Sequence, residues 1–150
     1  MPPKRKRRTL PNAITGVHVM SKTSTRHIPL AYSLLSAGSA IEVCDDYKLL
    51  DLNFLLTGGR EGFIAFIVTG DSMRPDIFPG NIVFVDTAAE PRTGDTVVVN
   101  VNGENCVKVL EHTARQLYLV PKNGEYPTLE IKPTDSFHIL GVVKGHFAIY

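Results

Sequence analysis

Two side chains in this sequence stand where their types could do chemistry, the hydroxyl of Ser72 and the amine of Lys108. Ser72 stands in Gly70-Asp71-Ser72-Met73, directly after the apolar run Phe63–Val68, where a chain leaving a strand turns and can present a hydroxyl. A hydroxyl is a weak nucleophile until a base takes its proton. The five histidines, His18, His27, His112, His138 and His146, are scattered with no triad pattern. Position 74 is arginine, so the Gly-x-Ser-x-Gly elbow is not formed, and no Ser-x-x-Lys occurs. The base for Ser72 must come from elsewhere. Lys108 stands within Cys106-Val107-Lys108-Val109-Leu110, in the middle of an apolar strand, an unusual place for a lysine.

Each residue also has a plainer reading. Ser72 can be a turn serine that hydrogen-bonds its own loop, and Lys108 an edge-strand cation that discourages sheet addition. Burial separates the readings. Alternation puts Lys108 on the same strand face as Cys106 and Leu110, with Val107 and Val109 on the other. Enclosure by apolar groups disfavours the ammonium, and bringing lysine from about 10.4 to about 7 corresponds to roughly 4.6 kcal/mol. A deeply buried strand lysine supplies that; an exposed one does not.

The elements that must position these groups are mostly strands. Val97-Val98-Val99-Asn100-Val101, then Asn102-Gly103, then Cys106–Leu110 predicts a β-hairpin with a tight turn and sets Lys108 in mid-strand. Further strands are expected at Phe63–Val68, Ile82–Val85, Gln116–Val120 and Phe137–Val143, each bounded by Gly, Pro, Asn or Asp. One short helix is expected over Asp45–Leu56, with Asp as cap and Gly58-Gly59 as stop. Ten prolines and twelve glycines favour short strands and turns, so the fold class is mainly β.

At 150 residues and 43% hydrophobic content the chain can bury the core of one domain. Its apolar runs fall far short of the roughly 20 residues that cross a bilayer, which argues against a membrane partner. The basic cluster Lys4-Arg5-Lys6-Arg7-Arg8 has no apolar stretch of signal-peptide length behind it. Only Cys44 and Cys106 are present, without C-x-x-C or a nearby histidine, so neither a metal site nor a disulfide framework is expected, no cofactor is called for, and a reducing cytoplasm fits best. The net charge of +1 conceals a division. Residues 1–41 carry seven Lys/Arg and no acid; residues 42–150 carry nine basic and fifteen acidic side chains, a net of −6. We expect a basic flexible arm over 1–27, an extended segment over 28–40 and a β domain over 41–150.

Taken together, Gly70-Asp71-Ser72-Met73, Pro79-Gly80-Asn81 before an apolar strand, Gly94-Asp95 and Val107-Lys108 resemble the self-cleaving LexA-type peptidases, and the UmuD-like branch most closely. Asp51–Leu56, Leu119–Tyr126 and Leu140-Gly141-Val142-Val143 extend the likeness over about residues 28–145, although the loop Met73–Asn81 is one residue shorter than the family's pattern. The resemblance implies a compact LexA- and signal-peptidase-like β domain, with Ser72 as nucleophile and Lys108 as its base. It also implies self-cleavage between a small residue and glycine, here Ala37 and Gly38 in Ser36-Ala37-Gly38. Glycine after the bond tolerates the kinked backbone that exposes the carbonyl. The backbone N–H groups of Asp71 and Ser72 are candidates for the oxyanion site.

As to biological role, the UmuD-like likeness implies a homodimer in the DNA-damage (SOS) response. Its cleavage would be promoted by a RecA–single-stranded-DNA filament, and its trimmed form would serve a translesion (UmuC-like) DNA polymerase. The alternative is a LexA-like repressor inactivated by the same cut. Against it, about 27 residues precede the cleavage segment and lack the two amphipathic helices of a helix-turn-helix. The Lys4–Arg8 cluster could still contact nucleic acid nonspecifically. A signal-peptidase-like enzyme would need a membrane anchor, and a binding protein with a dead dyad is at odds with two intact dyad residues.

Overall fold

The computed structural model describes residues 28–31 and 47–150. Its body is a seven-stranded antiparallel sheet in the order β3-β4-β9-β5-β6-β7-β8, built from β3 (Phe63–Ile67), β4 (Ile82–Asp86), β5 (Thr96–Val101), β6 (Glu104–His112), β7 (Leu117–Val120), β8 (Leu129–Ile131) and β9 (Phe137–Phe147). A separate two-stranded ladder pairs β1 (Ile28–Ala31) with β2 (Tyr47–Leu50). The expected mainly β class with one short helix is what the described residues form. The predicted arm over 1–27 and the bond Ala37–Gly38 lie outside them.

The hairpin between β5 and β6 forms at the predicted turn. Asn102 and Gly103 both take positive φ (50° and 90°), the type I′ geometry whose twist matches the flanking strands. The register that follows, Val98 opposite Val107 and Val97 opposite Lys108, is continuous to Thr96 opposite Val109.

The helix is shorter than its apolar pattern predicts. α1 covers Leu52–Thr57; Asp51 caps it, its carboxylate accepting the Phe54 N–H at 3.1 Å, and Gly58 ends it in the left-handed region. Tyr47–Leu50, expected in the helix, is instead strand β2, because β1 offers it a full antiparallel ladder. A run of four apolar-rich residues suits either state, and the pairing decides.

Two apolar clusters occupy the two faces of the central strands. Val68, Met73, Ile77, Val83, Val85 and Val98 form one; Val97, Val99, Leu110, Leu119 and Val142 form the other. Consecutive residues Val97, Val98 and Val99 are all buried, as befits a strand covered on both sides. β9 crosses the sheet between β4 and β5 with a register shift in each ladder. Gly141 lies where it passes closest: a Cβ there would stand 2.5 Å from the Asp86 carbonyl oxygen. Among the described residues no helix is long and apolar enough to cross a membrane.

Candidate active site

Ser72 sits in the turn between β3 and β4, and the sequence explains why the turn holds. Met73 buries its side chain in the core at 1% exposure. Its carbonyl accepts the N–H groups of Asp76 and Ile77, both at 3.0 Å, while Arg74 donates to the Asp71 carbonyl at 3.1 Å. At the far end of the loop Asn81 is buried; its side chain accepts the Phe78 N–H at 3.1 Å, and its carbonyl accepts from Val68 at 2.9 Å. Thus Gly70-Asp71-Ser72-Met73 and Pro79-Gly80-Asn81, noticed separately in sequence, are the two ends of one loop.

Lys108 reaches this turn from β6. The ladder with β7 begins only at Val109 opposite Val120, so the Glu104–Lys108 half of β6 is paired on one side, with β5. The residues at this open half and at the end of β3 line a cleft of about 290 Å³, with Ser72, Val83 and Val98 in its wall. Within it Lys108 Nζ lies 2.5 Å from Ser72 Oγ and donates to the Val107 carbonyl at 3.2 Å. The two residues are thirty-six positions apart, and the shorter loop that sets this sequence apart from the family's pattern does not keep them from meeting.

Lys108 is half-buried in this cleft, more enclosed than most lysines. Desolvation lowers its pKa from the ordinary 10.5, and the nearby Cys106 thiol opposes this as a smaller effect. Burial also raises the Cys106 thiol above its ordinary value, with Lys108 pulling the other way. Desolvation is the larger cause for both groups, so the cleft disfavours the charged form of each. A neutral amine within hydrogen-bond distance of a serine hydroxyl can take its proton, and Ser72 Oγ then has an open cleft in which to meet an acyl carbon. Among the described residues no group of three or more His, Cys, Asp or Glu could hold a metal ion.

Of the predicted site residues, the structure brings Ser72 and Lys108 together and places Asp71 beside them; Ala37 and Gly38 lie outside the described residues. The hold of the loop after β7 on the nucleophile turn escaped residue-level reasoning. Asn123 N–H donates to the Ser72 carbonyl at 2.9 Å, Asn123 Nδ2 to the Asp71 carbonyl at 3.3 Å, and Tyr126 Oη to Asp71 Oδ1. Its sole trace in the sequence is the family-like stretch Leu119–Tyr126.

The family described as Peptidase S24-like matches residues 29–144. The chain is 37% identical over 79 residues to a LexA repressor of Paracidovorax citrulli, covering 52% of this chain and 35% of that protein. It is 35% identical over 102 residues to LexA repressor 2 of Xanthomonas axonopodis pv. citri, covering 67% and 46%. It is 37% identical over 79 residues to LexA repressor 2 of Pseudomonas putida, covering 52% and 39%. The chain thus spans between about a third and a half of the length of these relatives. The special closeness to the UmuD-like branch expected from the motifs has no counterpart among the three.

Proposed function

This chain belongs to the Peptidase S24-like family, and from that membership we propose that it is a self-cleaving serine peptidase of the LexA type, with Ser72 as nucleophile and Lys108 as general base. The observation that carries the reading is the 2.5 Å approach of Lys108 Nζ to Ser72 Oγ inside a cleft that depresses the lysine pKa. Neutral Lys108 takes the hydroxyl proton as Oγ attacks the Ala37 carbonyl carbon. The Ala37–Gly38 bond breaks, the Gly38 amine takes the proton back from the Lys108 ammonium, and Ser72 is left acylated. Water, deprotonated by Lys108, then attacks the acyl carbon, the Ser72 Oγ–C bond breaks, and Oγ regains its proton from the Lys108 ammonium as residues 1–37 leave with a new carboxyl terminus. The Asp71 and Ser72 N–H groups are offered to the oxyanion; among the described residues neither donates to a backbone carbonyl.

The substrate in this reading is the chain's own segment 28–40. β1 lies before the scissile bond and β2 after it, and their pairing ties both ends of residues 32–46 to one ladder. Tethering replaces a binding pocket, since effective molarities for well-placed intramolecular groups reach about 10⁵ M or more. The test is intact-mass measurement on incubated protein. The wild type yields fragments 1–37 and 38–150, and Ser72→Ala yields neither. A cut elsewhere, or cutting that survives Ser72→Ala, contradicts the proposal.

For the biological role, the LexA repressor relatives favour a regulator whose activity changes on cleavage, in a cytoplasmic setting, as a homodimer, with a RecA–single-stranded-DNA filament as promoter of the cut. A second reading rests on Asp51–Leu56 and Leu119–Tyr126, which resemble UmuD-like chains: the 38–150 fragment is then the active species, serving a translesion polymerase. The two separate in one comparison. A regulator loses tight binding to one DNA sequence on cleavage; an accessory subunit gains the ability to restore damage-induced mutagenesis when supplied as 38–150, and Ser72→Ala full-length protein does not.

A further inference from the structure

The turn that carries Ser72 is anchored on one side by its own core contacts and on the other by a loop with no part in the proton transfer. Residues after Ser72 are fixed by the buried Met73 side chain and the Met73 carbonyl. Before Ser72 the turn has less of its own: Gly70 has open space on its Cβ side, the Asp71 carbonyl is shared between Arg74 of the turn and Asn123 of the loop that leaves β7, and the Ser72 carbonyl accepts from that loop. That loop holds the turn at Ser72 through Asn123 N–H (2.9 Å), at Asp71 through Asn123 Nδ2 (3.3 Å) and Tyr126 Oη, and at Asp76 through Lys122 (3.5 Å). It is internally braced, because the Asn123 side chain accepts the Glu125 N–H and the Asn123 carbonyl accepts the Tyr126 N–H, both at 3.1 Å.

We infer that Asn123 and Tyr126 are positioning residues for the nucleophile, holding Asp71-Ser72 from outside the cleft so that Ser72 Oγ stays against Lys108 Nζ. The inference rests on Ser72 being the nucleophile and adds to it which residues, far along the chain, set its geometry. Tyr126 is 43% exposed, yet its hydroxyl is spent on the Asp71 carboxylate, an arrangement with little value for core stability. The Asp71 hydrogen bond and the Asp71 charge, then desolvation and lastly Glu125, raise the Tyr126 pKa above its ordinary 10.0. A displacement of about 1 Å between reacting groups can slow a reaction about a hundredfold, so a latch of this kind reads out in rate.

The experiment is a double-mutant cycle on the first-order rate of self-cleavage, with the melting temperature of each variant recorded. Tyr126→Phe and Asp71→Ala each slow cleavage about tenfold, a typical effect for one hydrogen bond to a charged group. The double variant is no slower than the slower single, because both remove the same latch. Asp71→Asn, which keeps an acceptor for the phenol, recovers most of the rate lost in Asp71→Ala. A Tyr126→Phe rate equal to wild type, or fully additive losses, overturns the inference while leaving the peptidase reading intact. A wild type that never cuts contradicts the peptidase reading, and amide exchange at Asn123 in the Ser72→Ala background then decides the latch itself. Tyr126→Phe should speed that exchange about tenfold at unchanged global stability, and unchanged exchange overturns the inference.

Discussion

A lysine that must accept a proton near neutral pH is held in surroundings that disfavour its charge, and that penalty falls on the folded state. The folded pKa of Lys108 lies below the ordinary 10.5, so between the two values the unfolded chain binds more protons than the folded one. The penalty is fully present below the folded pKa and is relieved as pH rises toward 10.5. Lys108→Met, close in shape and uncharged, should therefore raise the melting temperature at neutral pH by roughly 2–4 °C while abolishing self-cleavage. Equal or lower melting temperature would mean that the ammonium is well solvated. Lys108→Arg should be as inactive as Lys108→Met, because guanidinium stays protonated. At this scale the sequence was informative: alternation within Cys106–Leu110 put a charge among apolar neighbours, and its link to Ser72 came from family likeness. Asn123 and Tyr126 were not legible, because hydrogen bonds between two loops leave no periodicity.

Among the elements, those with strong local chemistry were legible and those decided by distant pairing were not. Asn102-Gly103 dictates its turn, and the β5–β6 hairpin follows in the register that sets Lys108 opposite Val97. Tyr47–Leu50 became a strand only because Ile28–Ala31 pairs with it. The strand β8 was missed, since Leu129-Glu130-Ile131 is short and two of its three residues are exposed. β9 runs to Phe147, past the expected Val143, because β4 continues to pair with it through Gly145, His146 and Phe147. The tight passage of β9 over the end of β4 gives this scale its prediction. Gly141→Ala places a methyl 2.5 Å from the Asp86 backbone oxygen, which no rotamer change can relieve. Chemical denaturation should show a loss of about 2–3 kcal/mol. A loss below 0.5 kcal/mol would show that the ladders shift freely there.

At the scale of the whole molecule, the proposed cut divides the chain where its charge divides. All seven basic side chains of residues 1–41 precede Gly38, and the remaining 38–150 carries a net charge of −6. Since the seven-stranded sheet lies entirely beyond Gly38, the 38–150 fragment should stay folded, with far-UV circular dichroism close to that of the parent protein. Its affinity for polyanions should fall sharply, as attraction to phosphates scales with the number of cations engaged. What links these changes to the site is one proton held by Lys108. The most direct measurement is the first-order rate of self-cleavage against pH in protein shown to remain folded. With the lysine pKa depressed by burial, the rate should climb about tenfold per pH unit and level off before the ordinary 10.5 is reached. A flat profile from neutral to strongly alkaline pH, or an unchanged one in Lys108→Arg, would contradict Lys108 as the base of Ser72.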